Sequence, residues 1–174
     1  MTPASAFTNR PTGTTLTSDT GELWRDWQAG VGLINTPRTQ AAYGRLGASG
    51  KIWKTDDCSF EIRTPYATLV LSSLTDADVA HSTNLLLTAV ARVEMTGQAY
   101  NRSQTKIVSA GTAPIMAEPV CGRVLLSTSA SNLVMRAVRA DGSSAEPEPL
   151  TIEDGIATIP LDAAHKTLYY LIQN

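Results

Sequence analysis

Three glutamates, two arginines, a glutamine and three tryptophans are the residues of this chain whose types and spacing suit chemistry on a ligand. Glu94 stands two positions after Arg92, where the apolar run Asn84-Leu85-Leu86-Leu87-Thr88-Ala89-Val90-Ala91 ends. In a strand, residues i and i+2 project from one face, so both charges leave the core together. Glu118 precedes Pro119, which holds it extended and lets it point into a cleft. Glu22 is the third candidate carboxyl. Two such groups hydrolyse a glycosidic bond when about 5 Å apart for retention, or about 6.5–9.5 Å for inversion. Indole rings stack on the CH faces of sugars, which makes Trp24, Trp27 and Trp53 candidate platforms. Arg38 and Gln40 are suited to pair with sugar hydroxyls.

Each of these residues also has a purely structural use. The glutamates can be ion-paired with arginines, and Arg92 is the obvious mate of Glu94. At least two of the tryptophans can fill a core or cover its open end. Asp76 and Asp78 suit loop capping better than catalysis.

Other chemistries find little support. His81 and His165 are the only histidines and lack flanking nucleophile motifs, so each is expected to be a surface or turn residue. Gly111-Thr112-Ala113-Pro114 lacks the spacing and lysine of a phosphate loop, and no cofactor is expected. Cys58 and Cys121 are too few for a disulfide framework. They read as two buried thiols or one disulfide, and no metal site is expected.

The elements that must position these residues read as short strands punctuated by turns. Alternation or β-branched content marks 14–18, 22–28, 31–36 and 39–46, with 22–28 and 31–36 forming a hairpin across Ala29-Gly30. In 58–63 the period of two is strict: Cys58, Phe60 and Ile62 face inward, Glu61 and Arg63 outward. Segment 67–74 is a more central strand, 76–80 one helical turn, and 84–96 one long strand. Later strands fall at 123–128, 133–138, 151–152, 156–159 and 167–172, while 1–13 is an irregular N-terminal arm. No segment sustains a helical period, so the expected fold is all-β, a single-domain antiparallel β-sandwich, jelly-roll-like.

Composition bounds the partners. The chain has 174 residues, 43% of them hydrophobic, enough for one domain with a core. Its 14 Lys and Arg are scattered among 16 acids, which argues against nucleic acid. Apolar runs fall far short of the roughly 20 residues that span a bilayer, so no membrane partner is expected. The start, Met1-Thr2-Pro3-Ala4, lacks a signal peptide's charged and apolar regions, and a cytoplasmic location is the default. A charged fraction of only 17% leaves surface for subunit contacts, and a homo-oligomer is expected.

Three blocks carry a family resemblance: Ser18-Asp19-Thr20-Gly21-Glu22-Leu23, Asn35-Thr36-Pro37-Arg38-Thr39-Gln40, and Leu86 through Gly97. With Ala113 through Val120 and the closing Thr167-Leu168-Tyr169-Tyr170, they resemble the C-terminal β-sandwich region of large bacterial, often metagenomic, glycoside hydrolases. The resemblance spans roughly Thr15 to Ile172 and implies a sandwich with carbohydrate as partner. Two features depart from it. Met95 stands where the family commonly has Asn after the glutamate. The (β/α)₈ barrel that supplies the family's catalytic carboxylates does not fit in 174 residues.

Two functions follow as expectations. One is a small stand-alone glycosidase, its cleft built at an oligomer interface, using two of Glu22, Glu94 and Glu118. The chain's own start and end, without linker, lean toward such an independently encoded protein. The other is a non-catalytic sandwich that binds sugar or supports a partner enzyme.

Overall fold

A computed structural model describes residues 13–174. The arm expected at 1–13 lies outside the described residues except for Gly13. The first half of the chain supplies β1 (Thr15–Thr17), β2 (Leu23–Asp26), β3 (Val31–Asn35), β4 (Thr39–Gly44), β5 (Trp53–Lys54), β6 (Cys58–Ile62), β7 (Ala67–Ser73) and β8 (Asn84–Val90). The second half supplies β9 (Val93–Thr96), β10 (Ala99–Tyr100), β11 (Ile107–Ser109), β12 (Thr112–Ala117), β13 (Gly122–Ser127), β14 (Val134–Val138), β15 (Glu148–Pro149), β16 (Thr151–Glu153), β17 (Ile156–Leu161) and β18 (Tyr169–Gln173).

Fourteen of these strands form the antiparallel sandwich. One sheet has nine strands in the order β1-β2-β3-β4-β7-β8-β18-β14-β15, the other five in the order β16-β17-β13-β6-β5. The chain crosses repeatedly between the sheets, so each hairpin's inner face meets the other sheet's. Alternation puts Cys58, Phe60 and Ile62 of β6 inside, as the period of two predicts. They face Leu69 and Leu71 of β7, Leu85 and Leu87 of β8 and Ile172 of β18 across the sandwich, and lie beside Val124 and Leu126 of the neighbouring β13, all in one buried cluster. Burial of this continuous apolar layer is the main favourable term holding the sheets together.

Local chemistry sets the turns. In the β2–β3 hairpin, Asp26 Oδ1 accepts from the backbone N–H groups of Gln28 and Ala29, each at 2.9 Å. Gly30 completes that turn with a φ of 69°, a conformation glycine adopts at no steric cost.

Three expectations need correction. The single strand at 84–96 is broken at Ala91 and Arg92, because its neighbours end: β7 begins at Ala67, and Thr68 pairs with Val90, the last residue of β8. Beyond Val90 no strand of the sheet remains to receive the ladder, and the chain departs. The helical turn at 76–80 is absent. Bends lead instead to a turn at 79–81 capped by Asp78, whose Oδ1 accepts the His81 N–H at 3.1 Å, while Val79 is tucked into the core. Between 97 and 117, where no strand was expected, the chain forms a projecting arm. In it β9 pairs with β12, and β10 with β11.

No disulfide links the cysteines; both are free. Leu126 sits opposite Cys58, and Cys121 lies five residues further along that strand, about 17 Å away at about 3.4 Å per residue. That is beyond the reach of a disulfide.

Candidate functional site

The root of the arm brings two of the three candidate glutamates together. β9 and β12 run antiparallel with Met116 opposite Glu94 and Ala117 opposite Val93. The ladder continues past both strands, since the Glu118 N–H donates to the Arg92 carbonyl at 2.8 Å. Glu118, two residues from Met116, therefore shares a face with Glu94. Arg92 lies between them, its Nε 3.7 Å from Glu94 Oε1 and 3.7 Å from Glu118 Oε2. The two contacting oxygens are thus no farther apart than twice that distance. Glu94 and Glu118 are partly buried, while the Arg92 side chain is 63% exposed.

Two open clefts share this triad. One, of about 310 Å³, is lined by Arg92, Val93, Glu94, Tyr100 and Gln104. The other, of about 200 Å³, is lined by Arg92, Glu94, Met116, Ala117 and Glu118. Gln98 positions the aromatic wall: its Oε1 accepts the Met95 N–H at 3.1 Å, and its Nε2 donates to the Tyr100 hydroxyl at 2.6 Å. Tyr100 is 41% exposed. Neither Tyr100 nor Gln104 is marked by sequence reasoning. The one available signal is an aromatic residue a short turn beyond the Arg92–Glu94 pair.

The other candidates are placed elsewhere. Glu22 sits in the β1–β2 turn, accepting from Thr20 Oγ1 at 2.9 Å, and lines neither cleft. Arg38 pairs with Asp76 at 3.5 Å on the surface. Gln40 is buried and fully used: its Nε2 donates to Asp57 Oδ2 at 2.6 Å, and its Oε1 accepts from Thr55 Oγ1 at 2.6 Å and Asp57 N–H at 3.0 Å. It is no sugar ligand, because its polar atoms face inward and are already bonded. Trp53 is a core residue whose Nε1 donates to the Leu46 carbonyl at 3.2 Å, and Trp24 packs beside it at 6.2 Å between ring centroids. Trp27 is exposed beneath the Arg25 guanidinium, 5.5 Å from its centroid. No tryptophan lines either cleft of the triad.

The two histidines part company. His81 is the surface turn residue expected, paired with Asp78. His165 sits at the bend after the 163–164 turn, but its side chain is only 9% exposed, with Nε2 3.3 Å from Glu148 Oε2 and Nδ1 3.5 Å from Asp162 Oδ1. Its ring meets Tyr170 edge-on at 5.4 Å. Burial, followed by the charges of Asp162, Cys121 and Glu148, pushes the Tyr170 hydroxyl up to about 12. This cluster ties the β17–β18 connection to β15 and reads as an internal brace.

Among the described residues no group of three or more His, Cys, Asp or Glu is arranged to hold a metal, and no helix is long and apolar enough to cross a membrane. Compared with known proteins, the chain matches no family model, no curated protein and no solved structure. The fold class is an all-β sandwich, and function has to be argued from the arm-root site itself.

Proposed function

We propose that this sandwich is a carbohydrate-binding module of the kind associated with glycoside hydrolases, taking a β-linked sugar in the open clefts at the root of its arm. One observation carries the reading: an exposed tyrosine stands beside an arginine, a glutamate and a glutamine around a single cleft. A sugar ring offers that set what it needs, CH groups for the ring of Tyr100 and hydroxyls for Arg92, Glu94 and Gln104. The family resemblance in the 86–97 and 113–120 blocks points the same way, since those blocks form the walls of the site. Arg92 favours binding over hydrolysis, because its guanidinium fills the space between the carboxylates where a scissile bond would lie.

A second reading, hydrolysis by Glu94 and Glu118, rests on their spacing. An upper limit of twice 3.7 Å between these oxygens leaves room for the roughly 5–5.5 Å of retaining hydrolysis and the lower end of the roughly 6.5–9.5 Å of inverting hydrolysis. One carboxyl then protonates the glycosidic oxygen, and the other activates water or attacks the anomeric carbon. Arg92, being largely exposed, has room to swing aside.

Calorimetric titration with a panel of β-linked oligosaccharides, beside chromogenic β-glycoside assays, separates the readings. Binding without turnover, weakened about three- to tenfold by Tyr100→Ala, supports the module. Turnover abolished by Glu94→Gln and by Glu118→Gln supports hydrolysis. Turnover that survives both changes marks a contaminant, and no binding by any sugar overturns both readings.

A further inference from the structure

Two segments of this surface are opposite in charge. From Gly97 to Ala117 the chain carries Arg102 and Lys106 and no acid. From Glu146 to Asp154 it carries four acids, Glu146, Glu148, Glu153 and Asp154, and no base. The first segment is most of the projecting arm. The second holds β15 and β16, the last strand of each sheet, so it forms one edge of the sandwich with unpaired backbone.

The arm is also bare. Val93, Tyr100, Ile107, Val108, Ile115 and Met116 are six of the fourteen large apolar residues exposed among those described, and they fall within 25 residues. On the β9–β12 ribbon, Val93, Met95, Ile115 and Ala117 share one face by register, and that face has no charge. A two-stranded ribbon with both faces exposed is marginal in water, and a contiguous apolar patch of this kind marks a contact surface. Just beyond the acidic edge Ile156 is 43% exposed, while Leu150 and Ile152 between the charges are half-buried and pack against the core.

We propose that the arm of one copy docks on the 146–154 edge of a second copy, reciprocally, to give a two-fold dimer. Charge pairs Arg102 and Lys106 with Glu146 and Glu153, and apolar residues fill the space between them. The 25 residues of the arm match the roughly 20–30 residues per side of a stable interface. With a net charge of only −2, two copies have little long-range repulsion to overcome. Reciprocal docking closes the assembly at two copies, since each arm and each edge is used once. Val93, Tyr100 and Met116 also line the arm-root clefts, so the test uses Arg102, Lys106, Glu146 and Glu153, none of which lines them.

Sedimentation velocity at micromolar concentration tests it on wild type, Arg102→Glu/Lys106→Glu and Glu146→Lys/Glu153→Lys. All four positions are exposed, so the circular dichroism spectrum of each folded variant is expected to match wild type. Wild type should sediment as a species of twice 18.5 kDa, weakened by added salt. Each variant alone should dissociate at least about tenfold more readily, and an equimolar mixture of the two should recover the dimer through matched reversed charges. A monomeric wild type overturns the proposal. So does a dimer indifferent to the arm variant, or one lost in the arm variant but untouched by the edge variant.

Discussion

Gln40 holds three groups on two neighbours with one buried amide, and its removal leaves Asp57 Oδ2, Asp57 N–H and Thr55 Oγ1 short of a partner. Gln40→Leu keeps the volume but orphans these groups, at a cost of about 1–3 kcal/mol. At about 2–4 °C per kcal/mol for a domain of this size, calorimetry should show a clear fall in thermal midpoint. An unchanged midpoint contradicts the network's role. A second residue-scale prediction concerns alkaline pH. Burial pushes the Cys58 thiol from 9.0 up to about 12, and the Tyr170 hydroxyl rises from 10.0 to about 12. The unfolded chain releases these protons near pH 9 and 10, whereas the folded protein keeps them until about 12. The folded state therefore binds more protons throughout that window, so stability is full below about pH 9 and falls as pH rises toward about 12. Urea midpoints taken at steps across it should decline steadily, and a flat series refutes the assignment.

At the scale of elements, the arm depends on Gly111. Its φ is 74°, and a Cβ there would lie 2.7 Å from both the Gln98 nitrogen and the Thr96 carbonyl oxygen. Gly111→Ala meets a left-handed backbone cost of about 1–2 kcal/mol in addition to that clash. Hydrogen exchange should quicken in β9 to β12 while β6, β7 and β13 keep their protection; equal quickening in the core strands tells against an arm that opens by itself. The strands of the sandwich were legible because one covered face imposes a period of two, as at Cys58, Phe60 and Ile62. The break after Val90 was not, because Ala91 and Val93 suit a strand as well as their predecessors do. What ends β8 is the lack of a neighbour beyond Thr68, a fact of tertiary pairing. The arm was hidden for a related reason: its strands are short and largely exposed, so no burial pattern marks them. The site was half legible. Glu94, Glu118 and the Arg92–Glu94 pair stood out by type and spacing, but only the register of Met116 with Glu94 makes Arg92 common to both. Tryptophans drew attention as the largest aromatic surfaces, yet Trp53 is buried in the core with Trp24 packed beside it, and the aromatic residue that lines the cleft is Tyr100.

At the scale of the whole molecule, the sandwich is a rigid support and the arm root is where its polar chemistry gathers. The buried layer between the nine- and five-stranded sheets fixes Val90 on one side and Cys121 on the other. The excursion between them must begin and end close together, and that closure is what sets Arg92, Glu94 and Glu118 in one place. The central claim is that a sugar binds there. Its most direct test is amide and side-chain NMR of the labelled protein titrated with the β-linked oligosaccharide panel. Saturable shifts confined to Arg92, Glu94, Gln104 and Glu118 and to Tyr100, with a midpoint raised about three- to tenfold in Tyr100→Ala, are the predicted result. An absence of saturable shifts with every sugar, or shifts gathered around Trp27 with the arm root silent, contradicts it.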